Sequence, residues 1–304
     1  MWAITGGLPH LVIVIGFAVS PFAGAAGQAK YGSVSGRWLW VGADDRDTLA
    51  FRGESDEALP VIAAAARERG AVDSAVAMAR RHLRLPQLVF MARSCGKPNA
   101  YYFARRGEVV VCYEMLLDAY RLLNRHENAS RADTQAGGKR LADAIGFAQF
   151  LFAHELGHAI IDRYRVPVVG EQEAAADQFA LWLLSEDRAG PGLAVAHYVF
   201  VLLSLHEEWT DERVVDPHGL DLRRAQRIAC WLSSIDELRS ATTLTDAERR
   251  HCATAVDQAR QAWGRLLAPY RVRRRSGSKP YFVTDGSRDL SDSAVTARAR
   301  WRMR

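Results

Sequence analysis

The stretch LADAIGFAQFLFAHELGHAIIDRY, Leu141 to Tyr164, decides the fold. Its apolar residues fall on nearly every side of a 3.6-residue period, which predicts a long helix buried over most of its surface. Inside it, His154-Glu155-Leu156-Gly157-His158 sets two imidazoles four residues apart, on one helical face with Cβ atoms about 5 to 6 Å apart. That spacing lets both bind one zinc ion. Glu155 can then flank the open position of the metal and take a proton from water. Phe147, Phe150, Leu151, Phe152, Ile160 and Ile161 surround these polar groups, and buried polar groups need partners, which one cation supplies for all three. Gly157 costs about 1 kcal/mol relative to alanine in a helix interior, so another element is expected to approach the backbone there. The plain alternative is a helix whose histidines are solvated or satisfied by ordinary hydrogen bonds.

A catalytic zinc site takes three protein ligands and keeps one position open. The next segment, Glu171-Gln172-Glu173-Ala174-Ala175-Ala176-Asp177, follows a connection containing Pro167 and Gly170 and reads as the start of a second helix. Glu173 and Asp177 are four apart and share a face. Glu173 can serve as third ligand while Asp177 accepts the outer N–H of a ligand histidine and fixes its tautomer. The three alanines let two helices come close. Glu171 is the reserve ligand. Acids at a helix start also occur simply because they offset the helix dipole, and Glu171 fits that best.

Outward from these helices, the second half is nearly all helical in pattern. Helices are expected at about Glu114 to Arg125, Glu171 to Ser185, Pro191 to Glu207, Asp221 to Leu238 and Thr245 to Leu267, with Glu127 to Lys139 a loop. The uncharged run Leu193 to Leu205 is too short to span a membrane and reads as a buried core helix. Before the helices, Gln87 to Met91, Ala100 to Phe103 and Glu108 to Cys112 read as strands of a small antiparallel sheet. Further strands are expected at Arg37 to Val41 and Thr48 to Arg52. Glu57 to Leu85 has alanine-rich helical periodicity with a break at Gly70. The expected fold class is α+β: a small antiparallel sheet in the N-terminal half and a mainly helical core built on the motif helix. Four regions result: 1–26 as signal peptide or membrane anchor, 27–85 as strand and helix region, 86–270 as catalytic domain, and 271–304 as a basic disordered tail.

The formal net charge of +5 is a property of that tail. From Arg271 onward there are ten Lys or Arg and three Asp, +7, which leaves −2 for everything before it. A near-neutral body gives no nucleic-acid footprint. The tail can be solvated or can bind an anionic envelope surface. Leu11 to Val19 is apolar and leads to Ala23-Gly24-Ala25-Ala26, a small-residue cleavage pattern, although no Lys or Arg precedes it. An exported protein, secreted or periplasmic, is expected, or one anchored by an uncleaved segment.

Four cysteines allow three connectivities. Cys95 and Cys112 flank the expected hairpin, while Cys230 and Cys252 lie on successive helices, which favours those two pairs. In a reducing compartment all four would be buried thiols.

The residues resemble the glutamate-liganded zinc metallopeptidases, in which HExxH is followed by E-x-x-x-D on a second helix. They are similar, more narrowly, to a bacterial family of secreted metallopeptidases of unassigned substrate. That likeness rests on Cys95-Gly96, Asn99-Ala100-Tyr101, Cys112-Tyr113-Glu114, His154 to His158, Glu173 with Ala176-Asp177, His218 with Arg224, Cys230, Trp263 and Leu266-Leu267. It implies a single zinc ion held by His154, His158 and Glu173, with Glu155 as general base and a peptide or protein substrate. His218 resembles a downstream histidine that helps stabilise an oxyanion, with Arg224 supporting; Asp216-Pro217-His218-Gly219 reads equally as a turn with a surface histidine. Two other functions fit the same residues: a non-catalytic metal-binding or partner-binding module of the envelope, and a zinc hydrolase of a non-peptide amide. The isolated His82, His126, His197, His206 and His251 read as structural or solvent-facing.

Overall fold

The computed structural model describes residues 34–38, 58–85, 87–126, 134–187, 190–205 and 221–272. In chain order these form β1 (Val34–Trp38), α1 (Leu59–Glu68), α2 (Ala71–His82), β2 (Leu88–Arg93), β3 (Ala100–Phe103), β4 (Glu108–Cys112), α3 (Tyr113–His126), α4 (Thr134–Tyr164), α5 (Gln172–Glu186), α6 (Gly190–Leu205), α7 (Asp221–Ser233) and α8 (Asp246–Leu266). Short 3-10 turns cover Asp236–Ala241 and Ala268–Tyr270. The α+β class holds, with helices dominating.

The sheet is mixed, which corrects the antiparallel expectation. Its order is β1-β2-β4-β3, with β1 and β4 both parallel to β2 and only the β3–β4 hairpin antiparallel. Parallel neighbours require a crossover, and α1 and α2 lie between β1 and β2 in the chain. The first strand lies three residues earlier than expected, and Thr48 to Arg52 lies outside the described residues. Alternation aims one face of the sheet at the helices: Leu88, Phe90 and Ala92 from β2 and Val109 and Val111 from β4 enter the core, with Ala100 and Tyr102 of β3 packed against it. Helices α1 and α2 share that same core with α3 and α4.

Helix α4 is central among the described elements. It is apolar enough by composition to cross a membrane, but most of its apolar stretch is buried inside the protein. It packs against α2, α3, α5, α6 and two strands. It begins at Thr134, so part of the expected loop, including Gly137-Gly138, is helical. Arg140 at this end donates to Asn124 Oδ1 of α3, and Lys139 pairs with Asp143 one turn on, contacts that outweigh the low helix propensity of two glycines. The helix expected over Asp221 to Leu238 stops at Ser233, where Ser233 and Ser234 hydroxyls turn back onto Cys230 and Trp231 carbonyls.

Gly157 meets α5. A Cβ there would stand 3.0 Å from Ala176 Cα and 3.2 Å from the Ala176 carbonyl oxygen, so the two backbones touch. Disulfides join Cys95 to Cys112 and Cys230 to Cys252, the second fastening α7 to α8. Residues 270–272 pair with 82–84 through backbone bonds, and Tyr270 stacks on Tyr164, so the chain stays docked as far as Val272.

Candidate metal centre

The close approach at Gly157 sets α5 beside the motif. One turn from the contact on α4 stands His154, and one turn earlier on α5 stands Glu173. His154 Nε2 lies 3.2 Å from His158 Nε2 and 3.1 Å from Glu173 Oε2, and His158 Nε2 lies 3.3 Å from the same carboxylate oxygen. Ligand atoms of these three residues fall within 4.8 Å of one another, a group that could hold a metal ion. Glu171 is exposed at the N-cap of α5 and does not join them.

The other nitrogen of His154 is spoken for. Nδ1 and Asp177 Oδ1 are 2.8 Å apart, with both side chains buried. A carboxylate only accepts, so Nδ1 carries a proton, and Nε2, which faces His158 and Glu173, either donates to Glu173 when it too is protonated or offers its lone pair to a metal when it is not. Asp177 is in turn held by Arg224 of α7, which donates from Nε to Oδ2 at 3.0 Å and from a terminal nitrogen to Oδ1 at 2.7 Å. Arg227 adds a longer contact of 3.6 Å. The Arg224 guanidinium lies 4.3 Å from the Phe200 ring centre and 5.8 Å from that of Phe150. Four elements thus converge, and Phe200 and Arg227 are members that no short sequence pattern announces.

Electrostatics follow from this convergence. Burial alone would lower the His154 pKa, but hydrogen bonds to Asp177 and Glu173 outweigh it and raise it to about 9. Burial alone would raise Glu173 and Asp177; bonds to the two histidines in the first case, and Arg224 with His154 in the second, hold both carboxyls well below the usual range. Two anionic oxygens and two lone-pair nitrogens packed this tightly attract a cation, be it a proton or a metal.

Glu155 is buried yet lines a cleft of about 410 Å³ with His158 and Glu173. Another wall comes from Asn99 and, in β3, from Ala100, Tyr101 and Tyr102. Tyr102 donates to Asp162 at 2.8 Å and accepts from Arg163 at 3.0 Å, tying β3 to the end of α4; burial and the Asp162 bond push its pKa up to about 12. The Asn99-Ala100-Tyr101 run carried part of the resemblance, but its place on the cleft depends on strand order. His218 lies outside the described residues, as do the N-terminal residues expected to form an export signal and the residues beyond Val272.

A family profile described as "Putative metallopeptidase" matches residues 53–267, more than half of the chain, which therefore belongs to that family. No curated protein and no solved structure matches the chain.

Proposed function

Proceeding from that membership, we propose that the chain is a zinc-dependent peptidase whose ion is held by His154, His158 and Glu173. The observation that carries this reading is the triangle of donors at 3.1, 3.2 and 3.3 Å. Zinc bonds of about 2.0 to 2.1 Å in a tetrahedral array put neighbouring ligand atoms about 3.3 Å apart. The donor set, two imidazoles and a carboxylate, suits zinc, and only three such groups converge among the described residues, leaving one direction for the cleft. A closed four-ligand site would instead favour a non-catalytic module.

Zinc, when bound, supplies Lewis acidity and lowers the pKa of an attacking water to about 7. Glu155, on the cleft wall beside His158, takes the proton from that water and returns it to the leaving amine. Asp177 keeps His154 in the tautomer that offers Nε2, and Arg224 keeps Asp177 in place. A peptide suits the cleft because β3 is, among the described residues, an edge strand of the sheet, and an extended backbone can bond along such an edge. His218 would serve as a donor to the developing oxyanion. The two disulfides support an exported protein, consistent with the N-terminal apolar run.

Metal analysis and peptide hydrolysis on purified wild type, Glu155→Gln, Glu173→Ala and Glu171→Ala test the proposal. Expected are zinc in all but Glu173→Ala, and a loss of turnover of about 10²- to 10⁴-fold in Glu155→Gln with zinc retained. Full turnover in Glu155→Gln, or zinc retained in Glu173→Ala, overturns it.

A further inference from the structure

At the far end of α7 from Arg224, a second hollow of about 470 Å³ lies between α7, the 3-10 turn 236–241 and α8. Arg224 and Ser233 are nine residues apart on α7, about 13 Å of helical rise, and among the described residues the hollow shares no lining residue with the cleft at Glu155. Arg239, Arg249, Arg250 and Arg260 line it, with Asp246 as the one lining carboxylate among the described residues. Asp236 pairs with Arg239 from outside, so even with both acids counted the cations are in excess.

Three of the four guanidiniums are tethered by part of their donor set. Arg249 donates from one terminal nitrogen to the Arg239 carbonyl at 3.1 Å, and Arg260 donates to Ser234 Oγ at 3.0 Å while lying 5.2 Å over the Trp231 ring. Arg239 is anchored by Asp236 at 2.6 Å. Each guanidinium has five N–H donors, so these anchors fix its orientation and leave further donors. The walls are fixed as well, because the Cys230–Cys252 disulfide joins α7 to α8 beside the hollow. Cations held close together on tethered side chains repel one another, and a ligand with several acceptor oxygens relieves that repulsion.

We propose that this hollow binds a phosphate-bearing anion. Planar guanidinium forks match phosphate oxygens in pairs, and several forks around one concave wall select a tetrahedral, multiply charged group over a single carboxylate. The phosphate can belong to a free phosphorylated compound or to the headgroup of an anionic lipid. Binding weakens with added salt, since most of the arginines are partly solvated.

The test uses the full oxidised chain with two probes: inorganic pyrophosphate followed by calorimetry, and sedimentation with vesicles of phosphatidylglycerol in phosphatidylcholine. Arg249→Gln/Arg250→Gln leaves the Arg260–Trp231 stack and the disulfide in place, and Arg250→Glu alone reverses one exposed charge. Both variants should melt like the wild type and bind about tenfold more weakly. Weakened pyrophosphate binding identifies a soluble phosphate ligand; weakened vesicle binding with no pyrophosphate binding identifies a headgroup. Wild type that binds neither probe at low salt, or variants that bind both as wild type does, overturns the proposal.

Discussion

Helix α5 carries an aspartate near each end, and each meets a histidine and an arginine from elsewhere in the fold. Near the N-terminus Asp177 joins His154 and Arg224; just past the C-terminus Asp187 joins His82 and Arg81. The distances nearly coincide, 2.8 Å from carboxylate to imidazole in both and 2.7 or 2.8 Å to the nearest guanidinium nitrogen. What differs is the far side of the histidine. His154 turns its second nitrogen toward another imidazole and a carboxylate, whereas His82 and Asp187 form no three-membered ligand group among the described residues. In this fold both Asp–His–Arg clusters fasten helices together, and the one that further donors complete is the candidate metal centre.

Exchanging each aspartate for asparagine and reading zinc affinity by chelator competition separates the two clusters by the largest margin. Asp177→Asn should weaken zinc binding by about 10- to 100-fold, because it removes the anionic acceptor that orients and polarises His154. Asp187→Asn should leave the affinity unchanged. Equal effects from both would mean that the N-terminal cluster acts only through stability.

Gly157→Ala sharpens the same contrast from the side of packing. The new methyl meets the Ala176 backbone, which has no rotamer to yield, so the helices must separate. A loss of about 1 to 2 kcal/mol in denaturant unfolding is expected even though alanine is the better helix former, together with weaker zinc binding as Glu173 moves off His154. A variant more stable than wild type would show the contact to be compressible.

How far each cluster could be read from the chain follows from the range of the contacts. His154, His158, Glu173 and Asp177 are related by helical spacing, so two local periodicities expose them, and Gly157 with the alanines announces the contact that joins the helices. Asp187 and His82 are 105 residues apart with no pattern connecting them. His82 therefore reads as an isolated histidine, although the structure buries it against the Asp187 carboxylate. The parallel pairing within the sheet is hidden from the chain for a related reason. The bounds of β3 and β4 follow from local β patterning and the turn at Arg105-Arg106-Gly107, while the parallel partners of β2 are chosen by tertiary packing. For the same reason the Tyr101 and Tyr102 wall of the cleft came only with the strand order.

The smallest effect belongs to the C-terminal cluster, and its pH dependence tests whether Asp187 acts as a charge. Burial would raise the Asp187 pKa, but bonds from His82 and Arg81 outweigh it and hold the carboxyl below its ordinary value. A carboxyl with a depressed folded pKa contributes stability that is fully present above the unfolded value of about 3.9 and is lost as pH falls through the lower folded value. Asp187→Asn keeps one acceptor for its neighbours and should cost about 1 kcal/mol near neutrality. Because asparagine does not titrate, the gap between wild type and variant should stay constant down to about pH 4 and then close as wild type alone takes up the proton. Urea unfolding at a series of acidic pH values measures that gap directly. A gap that persists unchanged well below pH 4 would assign the contribution of Asp187 to shape and hydrogen bonding, leaving the N-terminal cluster as the one in which the carboxylate charge matters.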